Sequence, residues 1–301
     1  MRYVSPDEDS ARWLDFPFRP DDIVISTRSK SGTTWAQMIC ALLIFGTPDF
    51  STPLSELSPW LDWLVADRAD VLATLEAQRH RRFIKTHTPL DGLPSDPRAT
   101  FLVVARHPLD MAVSLYHQST NLDRQRLREL IGGSHDPVEP APAPRSAPAP
   151  VDDRLVHDWL VTWIERDVAP ADELDSLPGV LWHLSGAWAR RHEGNVLLVH
   201  YDDLSTDLEG EMRRIAARLN IEIPESAWPD LVDAAGFARM RSRARQLAPD
   251  PAGIMKDTTA FFRRGRSGAG REMLTPAELD RYRTRAAQLA PAELLAWLHR
   301  S

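Results

Sequence analysis

The chain has 301 residues, 43% of them hydrophobic, enough to bury the core of one α/β domain. Its 36 basic and 43 acidic residues give a formal net charge of −7, which speaks against a sequence-independent grip on nucleic acid, so any anion site must be local. One cysteine, Cys40, excludes an intrachain disulfide framework, and a cytoplasmic location is the simplest reading. Lysine is scarce: Lys30, Lys85 and Lys256 are the only three. A compact ammonium and a planar guanidinium differ most at a reacting oxygen, so these exceptions point at chemistry.

The acidic start lacks the basic and apolar regions of a secretory signal. Strands are predicted at Asp22–Thr27, Arg82–Thr86, Thr100–Ala105 and Asn195–Tyr201, each followed by a loop and a helical pattern. Apolar strands alternating with helices indicate a central parallel sheet flanked by helices, with ligands at the carboxyl ends of the strands. The apolar stretch Met38–Gly46 is about half the roughly 20 residues of a membrane helix and reads as a buried helix, so no transmembrane anchor is expected.

After the first strand comes Thr27-Arg28-Ser29-Lys30-Ser31-Gly32-Thr33-Thr34-Trp35, then the helical run Ala36–Phe45. Such a turn aims backbone N–H groups and the helix N-terminus at one anion, in the manner of a P-loop. Lys30 adds charge, the hydroxyls of Ser31, Thr33 and Thr34 add donors, and Trp35 offers a face for a flat ring. Lys30 precedes Gly32, whereas a Walker loop puts Gly directly before its Lys, so a nucleoside triphosphatase fits poorly.

Phe16 to Phe18, Trp60, Trp63 and Tyr116 are expected near an acceptor; on a helix, Trp60 and Trp63 would share a face. His87 ends the second strand in Lys85-Thr86-His87-Thr88-Pro89, with His107 and His117 further on. The Pro/Ala-rich stretch at about 132–153 is expected as a mobile or polyproline-like insertion within one domain spanning 1–301, either an acceptor lid or inert. Thr206 with Glu209, and Thr275 with Pro276 and Glu278, mark helix starts, the last helix running nearly to the end. No His/Cys/Asp cluster has metal-ligand spacing, so no metal is expected.

Together, TRSKSGTTW at 27–35, Arg106-His-Pro-Leu-Asp110 with Ser114, the late loop Phe261-Phe-Arg263-Arg264-Gly265, and Lys85-Thr-His87 closely resemble the motifs of sulfotransferases that use 3′-phosphoadenosine 5′-phosphosulfate (PAPS). They occur in that family's order from about residue 22 to 271. The resemblance implies PAPS as sulfuryl donor and 3′-phosphoadenosine 5′-phosphate (PAP) as product. It implies that Arg28, Lys30, Ser31, Gly32, Thr33, Thr34 and Trp35 bind the nucleotide at its 5′ end, and that Arg106, Ser114, Arg263, Arg264 and Gly265 hold the 3′-phosphate. Tyr201 and Phe237 match the family's residues beside the adenine. His87 takes the place of the general base, with Lys30, Lys85 and Ser114 as the other reacting groups. Arg264 stands where the family usually has Lys, and Arg271, Thr275, Pro276 and Asp280 match its dimer motif only in part, leaving the oligomeric state open. The acceptor is expected to be a hydroxyl on a phenolic, sterol or lipid-linked molecule, with no nucleic acid partner. A phosphotransferase or nucleotidase using the same anion loop, and a non-catalytic nucleotide-binding protein, are the alternatives.

Overall fold

A computed structural model describes residues 1–132, 152–250 and 252–300; most of the Pro/Ala-rich stretch, residues 133–151, lies outside the described residues. Four strands form one parallel sheet in the order β2-β1-β3-β4. They are β1 (Ile23–Ser26), β2 (Phe83–Thr86), β3 (Thr100–Ala105) and β4 (Val196–His200), each within a residue of its predicted bounds. All four are almost wholly buried, which is why they read as continuous apolar runs rather than alternating ones.

The two faces are covered separately. On one lies the helix Thr33–Phe45, whose Met38, Ile39, Leu42 and Leu43 pack on Ile23, Ile25, Phe83 and Leu102; Cys40 is buried there. On the other face, the helices Pro108–Asn121, Asp153–Glu165 and Leu177–Ala189 pack on Val24, Ile84, Phe101 and Val103. The chain leaves β1 for β2 on one side and returns past it to β3 on the other. Loops therefore diverge at the carboxyl end of β1, where open parallel sheets make their ligand crevice.

Three expectations change. Phe16 and Phe18 form an aromatic trio with Trp13, and Phe18 meets Phe101, so this segment belongs to the core rather than to an acceptor site. Thr206 ends the short helix Tyr201–Thr206 and its hydroxyl bonds Asp202 O at 2.8 Å; Asp207 caps the next helix instead, its carboxylate accepting from Gly210 N at 2.9 Å. Thr275 and Glu278 do form the capping box, but that helix stops at Leu289, and a separate short helix, Ala292–Leu298, follows Pro291, whose ring cannot continue the first.

At the sheet's amino end, Arg82 is fully buried against Asp22, its Nε donating to Oδ1 at 2.8 Å and a second nitrogen to Oδ2. A third bond goes to Pro17 O at 2.9 Å. Asp22→Ala would strand a buried guanidinium and should cost about 3–5 kcal/mol. The check is the urea midpoint of unfolding; a midpoint equal to wild type would remove this account of the pair.

Candidate active site

The carboxyl ends of all four strands open into one cavity of about 430 Å³. The loop after β1 is shaped by two left-handed residues, Lys30 (φ 62°) and Gly32 (φ 110°). A Cβ on Gly32 would come to 3.2 Å from the Tyr201 ring and 3.3 Å from Val104, so glycine lets the loop lie close on the residues after β3 and β4. Gly32 is also the N-cap of the helix Thr33–Phe45 and supplies no side chain to it, which leaves the first amides for a ligand. Thr27 and Thr33 share a hydroxyl–hydroxyl bond that ties the two ends of the loop.

Arg106, directly after β3, donates to Lys30 O at 3.1 Å and lies 4.3 Å over the Tyr201 ring; its Nε is buried without a partner. Trp35 donates to Ala235 O at 2.9 Å and meets Tyr201 edge-on at 5.2 Å. Ser114 lines the same wall one helical turn before Gln118, whose Oε1 accepts from Lys30 Nζ at 3.4 Å. Lys30 Nζ also lies 3.6 Å over the Phe261 ring. Burial, reinforced by Arg106, Lys85 and Arg263, pushes the Lys30 ammonium down to about 7.

The loop carrying Arg263, Arg264 and Gly265 is fastened from below by Asp110, whose two oxygens accept from Gly268 N and Gly270 N, both at 2.9 Å. Gly265 has φ 65° and its α-carbon abuts the Phe237 ring, leaving no room for a Cβ. The motif after β3 and the late basic loop are thus one unit, although about 150 residues apart in the chain.

At the end of β2, His87 Nδ1 bonds the carbonyl of Thr27. A carbonyl only accepts, so Nδ1 carries the hydrogen and Nε2 keeps its lone pair. Burial, with Lys85 and then Arg28 adding to it, holds this imidazole neutral, well below its usual range. Asp62 accepts from the hydroxyls of both flanking residues, Thr86 and Thr88, and Ser26 donates to Thr88 O at 2.7 Å. The histidine is held from both sides. Lys85 Nζ lies 3.4 Å over the Trp60 ring, and burial lowers it to about 8 against the opposing pull of Glu8 and Asp62.

Trp60 and Trp63 stack at 5.2 Å and 5°, and Trp60 meets His87 edge-on at 4.8 Å. The pairing expected of a helix is made by an irregular segment, with Trp60 bridged to Lys85. Two further placements differ from expectation. Ser31 is buried and does not line the cavity. Arg28 does line it, but its terminal nitrogens are engaged by His87 O and by Asp175 Oδ1 at 2.6 Å, so it braces the His87 backbone instead of reaching outward. His107 caps the helix Pro108–Asn121 by accepting from Leu109 N at 3.2 Å and packs on His299, a structural role. His117 is half-buried on that helix, where burial and then Arg263 and Arg264 lower it to about 4.

Sequence reasoning missed two walls: the segment Tyr3–Glu8 and the segment Ala171–Asp175. Among the described residues no group of three or more His, Cys, Asp or Glu is arranged to hold a metal ion, and no helix is long and apolar enough to cross a membrane.

The sulfotransferase domain family matches residues 20–290. A glycolipid sulfotransferase of Mycobacterium bovis (strain BCG / Pasteur 1173P2) is 41% identical over 309 aligned positions, covering 99% of this chain and 93% of that protein. Human sulfotransferase 2B1 is 27% identical, covering 88% of this chain and 64% of that one. In fold, mouse sulfotransferase SULT7A1 complexed with PAP superposes with a TM-score of 0.66 at 21% identity, over 96% of this chain and 92% of that chain. The chain belongs to the sulfotransferase domain family and is a PAPS-dependent sulfotransferase. Membership sets aside the phosphotransferase and non-catalytic alternatives.

Proposed function

We propose that the protein moves the sulfuryl group of PAPS to a hydroxyl of a lipid-like acceptor by in-line displacement, with His87 as the general base. The observation that carries this reading is His87 itself: Nδ1 locked on the Thr27 carbonyl, Nε2 left basic, and Lys85 and the Trp60–Trp63 stack beside it in the same cavity. The cavity suits a polyanion, since Arg106 has an unpartnered buried Nε and the helix Thr33–Phe45 has an uncapped start.

PAPS supplies an activated sulfuryl group whose bridging oxygen gains negative charge as the bond breaks. Lys30 places an ammonium at that oxygen, with Thr33, Thr34 and the first helix amides around the 5′ end. Arg106, Ser114, Arg263, Arg264 and the Gly265 amide hold the 3′-phosphate, and Trp35, Tyr201 and Phe237 enclose the adenine. His87 Nε2 takes the acceptor's hydroxyl proton as its oxygen attacks, and Lys85 meets the sulfuryl oxygens. The bracing of His87 by Arg28 and Asp62 keeps it in line during the transfer.

The acceptor reading rests on the apolar lining from Trp63, Leu122, Leu127, Ile254 and Met255, and on similarity to relatives named glycolipid sulfotransferases. Incubation with PAPS and a long-chain alcohol or alkyl glycoside in the presence of a chelator should yield the sulfate ester, read by mass spectrometry. Hydrolysis of PAPS with no ester formed would contradict the transfer.

A pH dependence follows from the two lysines. In the ligand-free protein Lys30 lies near 7 and Lys85 near 8, and an anion beside them favours the charged forms, so PAP binding takes up protons above neutrality. Affinity is full below the ligand-free values and should weaken by about tenfold per pH unit above pH 7, more steeply past 8. Calorimetry in buffers of different ionisation heat checks this; a dissociation constant flat from about pH 6.5 to 9 would contradict it.

A further inference from the structure

We propose that Glu8 reads the acceptor, its carboxyl hydrogen-bonding a hydroxyl next to the one being sulfated, so that the site selects a sugar-headed lipid over a simple alcohol. The inference rests on the sulfuryl-transfer reading above and assigns the acceptor's second polar contact.

The segment Tyr3–Glu8 is a fixed wall of the cavity. Tyr3 bonds Asp91 through its hydroxyl at 2.8 Å and accepts from Trp182 Nε1 at 2.8 Å. Ser5 N donates to Glu8 O at 2.8 Å, Glu8 N to Ser5 Oγ at 3.0 Å, and Leu64 N to Asp7 O at 2.9 Å, while Glu8 bridges Trp63 in antiparallel fashion. The backbone of Glu8 is thus spoken for, and it lies against the tryptophan stack.

Its side chain is not. Among the described residues the Glu8 carboxyl has neither a hydrogen-bond nor an ion-pair partner, although it lines the cavity with Lys85, His87 and Arg28. Loss of solvent at the cavity wall, opposed by Arg28 and reinforced by Asp62, Asp7 and Asp175, pushes the carboxyl up to about 8. Near neutrality it therefore both donates and accepts, as a sugar hydroxyl requires of its partner. Glu8 bridges Trp63, which stacks on Trp60 beside His87 and Lys85, so it lines the cavity at the end where those two residues lie, while Leu122, Leu127, Ile254 and Met255 line the cavity with apolar surface for a chain. A carboxyl in the cavity wall without a protein partner is available to a ligand hydroxyl, and a site that hydrogen-bonds such a hydroxyl discriminates against an analogue lacking it.

The test compares kcat/KM for octyl β-D-glucoside, below its micellar concentration, with that for 1-octanol, at saturating PAPS. The glucoside-to-octanol ratio should fall at least about tenfold in Glu8→Leu and Glu8→Ala, and stay within about threefold of wild type in Glu8→Gln, whose amide still hydrogen-bonds. PAP titration of each variant certifies a folded nucleotide site. An unaltered ratio in the truncated variants, or a loss of both acceptors in step, would overturn the proposal and point to Glu8 as a mere charge balance for Lys85. Wild-type protein that sulfates octanol but not the glucoside overturns the sugar assignment alone; protein that sulfates neither defeats the underlying transfer reading as well.

Discussion

Replacing His87 with asparagine should lower kcat by about 10²–10⁴ while PAP affinity stays within about twofold of wild type. The asparagine amide can still donate to the Thr27 carbonyl that now holds Nδ1, so the loop between β2 and the Asp62 clamp keeps its anchor. What disappears is the lone pair on the far nitrogen, which is open to a proton because burial beside Lys85 and Arg28 keeps the imidazole uncharged. Single-turnover quench with PAPS and acceptor isolates the chemical step from product release. A fall of less than about tenfold would assign proton removal to another group or to solvent.

Lys30→Arg tests the leaving-oxygen side. Charge is conserved, so PAP should still bind, but transfer should drop by about 10²–10³, the scale for removing one group matched to developing charge. Lys30 sits on a left-handed residue, with its ammonium 3.6 Å over Phe261 and 3.4 Å from Gln118 Oε1, hemmed in by Arg106, Lys85 and Arg263. A point charge on a flexible stem can shift from such a resting place to an oxygen as its charge grows; a planar guanidinium in that ring of cations cannot do so without displacing a neighbour. Paired measurement of PAP affinity and pre-steady-state transfer separates the two roles. Normal transfer by the arginine variant would mean that charge alone is needed.

Much of this was legible before any fold was known because it is local. The turn after β1, the arginine after β3 and the histidine after β2 each lie within a few residues of a strand end, and a parallel sheet brings such ends together. The missed parts depend on partners far away in the chain. Nothing in the acidic run Asp7-Glu8-Asp9 announces that Asp9 N will bond Asp62 O at 2.9 Å and Glu8 bridge Trp63, which is what turns an apparent tail into a cavity wall. Arg28 looked like another phosphate ligand because it adjoins the loop, yet Asp175, in a segment without any motif, and the His87 carbonyl draw its guanidinium away. Phe16 and Phe18 were placed by hydrophobicity alone, which cannot tell a ligand wall from a core, and Trp13 settles them in the core. Thr206 lost its cap to the next residue because aspartate and threonine compete for the same amides and one step in register decides.

The central claim is that this cavity is a metal-independent site for a nucleotide bearing a 3′-phosphate. Calorimetric titration of the purified protein with PAP in the presence of a chelator, beside ATP under the same conditions, tests it most directly. The account predicts tight PAP binding, at least about a hundredfold stronger than ATP, because Arg106 and the late basic loop have a 3′-phosphate to hold only in PAP. Equal affinities, or binding of ATP that appears only with magnesium while PAP fails to bind, would contradict it.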